Sequence, residues 1–298
     1  MTEQPIETND KYPWNDTVRT LLIAVVPAVM VLVLFQSKAA AVFVMITLWY
    51  CRTWQDLRIL LVIGLIAMTL RSFAFEPFNI PSGSMKSTLL IGDYLFVSKY
   101  SYGYSRYSFP LGLPLFKGRI FEAHQPERGD VVVFREPPNP RIDFIKRIIG
   151  LPGDHIQLKG GVVYINGEPL KRQWLDSFAD DEDKNHIMSV SRYAETLPEG
   201  KVITILKQAA NTMPVDSTHT ADDTPVYQVP PGYYFMMGDN RDHSFDSRFP
   251  GGIGYVPEEN IIGRAEVIWF STDGTAQWLN PFSWFTAMRF GRFFKHID

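Results

Sequence analysis

Apolar residues crowd the first quarter of the chain. Three apolar stretches precede residue 76. The first runs from Leu21 to Phe35. Gln36-Ser37-Lys38 interrupts it, and Ala39 to Tyr50 follows. A polar break from Arg52 to Arg58 leads to the third, Ile59 to Phe75, with Arg71 near its end. A spanning helix needs about 20 apolar residues. The third stretch approaches that length, and Arg71 can snorkel to the interface, so the pattern predicts a span there. The first two stretches leave two arrangements open: two spans with a tight turn at Ser37, or one span plus an interfacial helix. A cleavable signal peptide fits poorly, because the apolar region is too long and begins after an acidic, proline-containing stretch. Arg52 and Arg58 mark the loop before the last span as cytoplasmic. Everything after Phe75 is then expected outside the cytoplasm.

Beyond residue 76 the pattern changes to short β-branched and aromatic runs punctuated by Gly and Pro. Tyr94 to Val97, Asp130 to Phe134 and Phe144 to Ile149 read as strands, as do Tyr233 to Met237 and Ala265 to Phe270. Val162 to Ile165 followed by Asn166-Gly167 is a hairpin signal, since both central residues of a type I′ turn need positive φ. No long amphipathic helix separates these runs. The expected fold is mostly β, with several sheets and long loops. Residues 175 to 225 differ: they hold the acidic run Asp180 to Lys184, then Asp222-Asp223, amid many Ser, Thr and Asn. They read as an insertion, part hairpin and part loop, with a solvated acidic surface.

Length and charge narrow the picture. The 298 residues suit one large or two small domains plus anchors. A net charge of -3 gives no basic excess for nucleic acid. The single cysteine, Cys51, permits no intramolecular disulfide. It and six scattered histidines make no metal-ligand pattern. No metal, nucleotide or other cofactor is expected, and no feature fixes an oligomeric state.

The candidate chemistry begins just after the last apolar stretch, at Pro81-Ser82-Gly83-Ser84-Met85. In an extended chain, residues two apart face one side. Ser82 and Ser84 can then address one carbonyl, one as nucleophile and one as oxyanion donor, while Gly83 admits a close backbone. By itself such a stretch is also an ordinary loop. Three bases are open to a serine here. Lys86 is near but looks exposed. His243 with Asp246 can complete a Ser-His-Asp arrangement. Lys146 alternates with Phe144 and Ile148 on one strand face, where burial would lower its pKa. It can equally be a structural partner of Asp143. The dense cluster Met237 to Arg248 carries charges of both signs and suits a hydrogen-bonded loop.

Four blocks in order resemble the type I signal peptidases of bacteria. They are Pro81 to Met85 with Thr88 to Asp93, Arg128 to Phe134, Lys146-Arg147 closed by Gly150 to Asp154, and Gly238 to Arg248. The resemblance spans roughly residues 76 to 270. It implies Ser84 as nucleophile and Lys146 as general base. The Ser84 N–H and Ser82 hydroxyl would form the oxyanion hole. Ser244 would hydrogen-bond the Lys146 amine, buttressed by Asp246 and Arg248. Phe78, Ile80, Met85, Leu89, Phe144 and Ile145 match positions lining shallow pockets for small substrate side chains.

The resemblance implies a mostly β catalytic domain over about residues 76–275. A less regular lobe is inserted at about 160–230, and transmembrane helices within 1–75 anchor the domain. It further implies signal-peptide-bearing pre-proteins as substrates, contact with membrane lipid, and only indirect association with secretion machinery. A tail from 276 to 298 alternates aromatics (Trp278, Phe282, Trp284, Phe285, Phe290, Phe293, Phe294) with Arg289, Arg292 and Lys295. It is expected either in a membrane interface or packed on the β domain. The sequence departs from the family at Ser87, where proline is common, and in the long link Phe249 to Pro257. Two extra apolar stretches also stand upstream. A Ser84-His243-Asp246 hydrolase and a non-enzymatic export scaffold remain as other readings.

Overall fold

A computed structural model describes residues 73–109, 118–122, 124–180, 188–208, 222–249, 251–276 and 280–298, with Ile59, Val62, Ile63, Ile66 and 69–71 before them. Two compact units divide at Arg71 and Ser72. The apolar stretches from Leu21 to Tyr50 lie outside the described residues. Those described between Ile59 and Arg71 are helical. Among the described residues no helix is long and apolar enough to cross a membrane. The third stretch ends earlier than the hydropathy suggests, because Phe75 already belongs to a strand.

The second unit is built almost wholly of antiparallel strands, numbered here in chain order. The main sheet contains β1 (Phe75–Asn79), β2 (Asp93–Ser98), β5 (Val131–Arg135) and β6 (Asp143–Gly150). It is completed by β14 (Tyr233–Met237), β15 (Val256–Pro257), β16 (Ile261–Ser271) and β17 (Lys295–His296). The strand order is β1-β2-β16-β5-β6-β14-β15, with β17 added along β16. A small pair joins β3 (Tyr104–Ser105) to β4 (Arg119–Ile120). A second sheet runs β13-β7-β8-β9, from β7 (His155–Lys159), β8 (Val162–Ile165), β9 (Glu168–Pro169) and β13 (Tyr227–Gln228).

The β-branched runs form strands because alternate residues pack on a half-buried surface. Val131, Val132, Val133 and Phe134 are all buried, which marks β5 as central with both faces covered. Asn166 and Gly167 take φ of 53° and 88° and close a two-residue turn between β8 and β9, as the sequence predicts. Three apolar clusters result. Met85, Leu89, Leu95 and Val131 lie in one, Phe134, Ile148 and Met236 in another, and Ile156, Leu158 and Ile205 in the third.

The inserted segment is more regular than its composition suggests. Its strands β10 (Lys171–Asp180), β11 (Met188–Thr196) and β12 (Val202–Gln208) form one antiparallel sheet. Residues 181–187 and 209–221, which include most of the acidic run, lie outside the described set. Asp222 is not merely solvated: it pairs with Lys207 at 2.7 Å, and Lys207 also meets Asp242 at 2.9 Å.

Strand β12 ties this sheet to the polar cluster at 238–248. Leu206 N–H donates to the Asp239 carbonyl at 2.8 Å, and Arg241 N–H donates to the Leu206 carbonyl at 2.9 Å. On β11, fully buried Glu195 accepts from Arg172 at 2.9 Å and from Arg241. Removing one partner of a buried pair leaves an uncompensated charge, at about 3–5 kcal/mol. Glu195→Ala should therefore lower unfolding free energy by about that amount. Chemical denaturation of the detergent-solubilised chain measures it. A loss under about 1 kcal/mol, the size of a surface pair, would show that the network does not tie the two sheets.

Candidate active site

Ser84 sits on a loop closed at both ends. Ile80 N–H donates to the Asp93 carbonyl at 2.9 Å, and Gly92 N–H to the Ile80 carbonyl at 3.0 Å. Between them the chain does not stay extended. Ser82 is extended (φ -130°, ψ 152°), but Gly83–Met85 forms one turn of 3-10 helix. Pro81 lacks the N–H that a strand would donate, which favours leaving β1 here. The first N–H groups of such a turn have no partner within it. Ser84 is therefore placed by a turn, not by strand alternation, yet its Oγ lies 3.5 Å from Ser82 Oγ. Ser84 is buried and Ser82 exposed.

Lys146 Nζ lies 2.5 Å from Ser84 Oγ. The lysine is 2 % exposed and sits on the β6 face shared with Phe144 and Ile148, its amine 5.9 Å from the Phe144 ring centroid. Among the described residues, no carboxylate comes within ion-pair distance of it. Asp143 pairs with Arg135 instead, at 3.1 Å. Burial is the main reason the ammonium is disfavoured, with Arg248 acting the same way, while Asp246 and Asp239 oppose it. The net effect lowers the lysine from 10.5 to about 8.

The nearby charges are paired among themselves. Asp246 accepts from Arg248 Nε at 2.8 Å, from the Gly238 N–H at 3.0 Å and from Ser244 Oγ at 2.8 Å. Burial opposes ionisation of Asp246, but Arg248 and these donors hold its carboxyl below the usual range. The Ser244 hydroxyl thus points its proton at Asp246, not at the Lys146 amine. It still belongs to the site. A Cβ on Gly238 would lie 2.1 Å from Ser244 Oγ and 2.6 Å from the Ser84 carbonyl oxygen, so only glycine fits between them. Asn240 grips the Ser84 turn from outside: its N–H donates to the Ser84 carbonyl at 3.0 Å and its amide to the Gly83 carbonyl at 3.1 Å.

The other two candidate bases are placed elsewhere. The His243 ring meets Gln208, and its expected partner Asp246 is engaged by Ser244 and Arg248. Lys86 is half-buried as the residue that ends the turn, its N–H donating to the Gly83 carbonyl. Ser87, the departure from the family pattern, donates to the Thr204 carbonyl at 2.6 Å and so docks the Ser84 loop on β12.

Of the six residues matched to substrate pockets, Ile80, Met85 and Leu89 are fully buried. Phe78 and Ile145 pack partly exposed on the same cluster. Phe144 faces the other way, stacked on Phe134, because alternation on β6 sends neighbours to opposite faces. Two residues without a role in the sequence reading stand beside the site. Buried Arg147, next to Lys146, forks onto Asp239 at 2.8 and 2.7 Å, and Asp239 accepts from Thr88 Oγ1 at 2.5 Å. Their places within the family-like blocks are the one sequence signal that marks them.

Comparison with known proteins gives the family. The family described as "Signal peptidase, peptidase S26" matches residues 53–270. A "Signal peptidase I" of Rickettsia typhi is 43% identical over 244 residues, 78% of this chain and 89% of that protein. One of Rickettsia canadensis is 42% identical over 257 residues, covering 82% and 94%. A solved signal peptidase I from Enterococcus faecalis is 26% identical, covering 47% of this chain and 97% of that one, with a TM-score of 0.26. The class is serine endopeptidase. Within it, the chain belongs to the signal peptidase family, peptidase S26.

Burial of Lys146 links the site to stability. A group whose folded pKa is depressed binds its proton less readily folded than unfolded. The penalty is full below about pH 8 and fades as pH rises to the ordinary value of 10.5. At about 1.4 kcal/mol per pKa unit it amounts to about 3 kcal/mol. Lys146→Met keeps the apolar stem and deletes the charge. At neutral pH it should be as stable as the parent or more so, with any advantage shrinking between about pH 8 and 10.5. Denaturation midpoints across that range check this. A variant much less stable than the parent at pH 7 would mark Lys146 as a structural ion.

Proposed function

We propose that the chain is a membrane-anchored signal peptidase that cleaves N-terminal signal peptides from exported pre-proteins through a Ser84 acyl-enzyme. The observation that carries this reading is the buried amine of Lys146 at 2.5 Å from Ser84 Oγ, with no carboxylate among the described residues within ion-pair distance. Neutral Lys146 accepts the Ser84 proton as Oγ attacks the scissile carbonyl carbon. The carbonyl oxygen becomes an oxyanion, held by the Ser84 N–H and the Ser82 hydroxyl. Lys146 then gives its proton to the leaving amine as the peptide bond breaks. It next takes a proton from water, which attacks the acyl carbon, and returns that proton to Ser84 Oγ as the bond to the acyl group breaks. Ser244, Asp246 and Arg248 hold the lysine's surroundings in place.

Substrate preference follows from the apolar wall. Ile80, Met85 and Leu89 are already packed, with Phe78 and Ile145 partly open above them. Such a wall leaves shallow space, and large side chains would overpack it. This supports cleavage after small residues of the Ala-x-Ala type. The apolar N-terminal stretches and the family membership support an anchor in the cytoplasmic membrane with the catalytic domain on its outer side. An embedded signal peptide would then lie near the site.

The test is cleavage of a purified pre-protein by detergent-solubilised enzyme. Ser84→Ala and Lys146→Met should abolish it, and His243→Ala should leave most of it. Activity surviving in Lys146→Met but lost in His243→Ala would move the base to the histidine. Ser82→Ala should lower kcat by about 10²–10³ with little change in KM, the effect of removing one oxyanion donor. Ser82→Thr should retain more activity than Ser82→Ala, because it keeps a hydroxyl. Parental kcat in Ser82→Ala would remove Ser82 from the mechanism.

A further inference from the structure

The chain's last segment is not simply laid on the surface. It contains helix α1 (Pro281–Ala287), a 3-10 turn at Phe290–Arg292, and β17. Its aromatic side chains stay largely outside, with Phe282 83 % and Phe294 74 % exposed. Its arginines turn inward. Arg292 forks onto Asp93, Nε to Oδ1 at 3.0 Å and a terminal nitrogen to Oδ2 at 2.5 Å. The same terminal nitrogen donates to the Thr88 carbonyl at 3.0 Å. Asp93 is fully buried and also accepts from the Leu90 N–H at 2.8 Å and Ser271 Oγ at 2.7 Å.

These contacts fall on both halves of the site. Thr88 and Asp93 end the loop that carries Ser84. Thr88 is held twice, its carbonyl by Arg292 and its hydroxyl by Asp239 at 2.5 Å. Asp239 is the partner of Arg147, the neighbour of Lys146 on β6. Arg147 in turn donates to the Asp298 main-chain oxygen at 2.8 Å. One short segment therefore grips the nucleophile loop through Arg292 and the base strand through the Asp298 backbone. Buried charge pairs with satisfied hydrogen bonds hold one geometry firmly.

We infer that the 289–298 segment is a clamp that sets the separation of Ser84 and Lys146, with Arg292 as its positioning residue. The inference rests on the Ser84–Lys146 reading above. Arg292 touches neither substrate nor reacting atoms. It acts by fixing the Thr88–Asp93 end of the loop. A displacement of about 1 Å in a catalytic group can cost about 10²-fold in rate.

The experiment measures steady-state cleavage of a pre-protein by the full detergent-solubilised chain. Rates are expressed per folded molecule, with the folded fraction read from tryptophan fluorescence. Arg292→Gln should lower kcat by about 10- to 100-fold with KM within about twofold of the parent. Arg292→Lys, which keeps the charge on Asp93, should recover part of the rate, and it carries the test if Arg292→Gln does not fold. Phe282→Ser, on the exposed face of the same segment, should match the parent. Parental kcat in folded Arg292→Gln, or in Arg292→Lys should that alone fold, would overturn the clamp. So would a loss in Phe282→Ser as large as in the arginine variants. Ser84→Ala run alongside separates the two readings: if it is inactive while Arg292 variants are normal, only the clamp fails. If Ser84→Ala cleaves, the catalytic assignment fails first.

Discussion

Lys146 is buried against Ser84 with no carboxylate among the described residues within ion-pair distance, and the surrounding structure is consistent with that constraint. An ammonium out of water is disfavoured unless a counter-charge meets it. Here the apolar β6 face, Phe144 and Ile148 supply the burial. The two carboxylates that act on the ammonium are committed elsewhere, Asp246 to Arg248 and Asp239 to Arg147. Farther out, Glu195 pairs with Arg241 and Asp93 with Arg292. Each pair satisfies itself and, among the described residues, leaves the lysine without a close counter-charge. A low-pKa amine beside a hydroxyl is what a serine nucleophile without histidine requires.

The same pairs join segments far apart in sequence. Arg292 and Asp93 bring the tail to the Ser84 loop. Glu195 and Arg241 bring the inserted sheet to the loop at 238–248. Ser87 adds a direct bond from the Ser84 loop to β12. Buried pairs are poor sources of net stability, since desolvation offsets much of their attraction. Their value here is geometric: four segments converge on Ser84 and Lys146, and each is tied to another by directional bonds. Gly238 shows how little slack remains, with Ser244 and the Ser84 backbone both inside the space of one methyl group.

Much of the fold was legible because it depends on local pattern. The valine run of β5, the alternation of β6 and the Asn166-Gly167 turn depend on neighbours in sequence. Burial of Lys146 was half legible: alternation put it on an apolar face but left Asp143 open as a partner. Only tertiary contact shows that Asp143 meets Arg135. The turn at Gly83 was missed, because serines two apart suggest an extended chain just as readily. Phe144 was grouped with Ile145 although a strand sends them apart. The ion pairs of Arg292 and Glu195 were opaque for a different reason. Nothing near either residue in the sequence signals the pairing, and their partners lie in distant segments. The acidic, serine-rich composition of the insertion hid the regular sheet formed by β10, β11 and β12.

The central claim is that burial lowers the Lys146 pKa well below that of an exposed lysine. It can be read directly by titrating the chain labelled with 15N at lysine Nζ and following the Lys146 signal, assigned by its loss in Lys146→Met. The account predicts a midpoint at about 8, well separated from the other lysines. A midpoint near the ordinary 10.5 would contradict it, because burial would then leave the amine as basic as an exposed lysine.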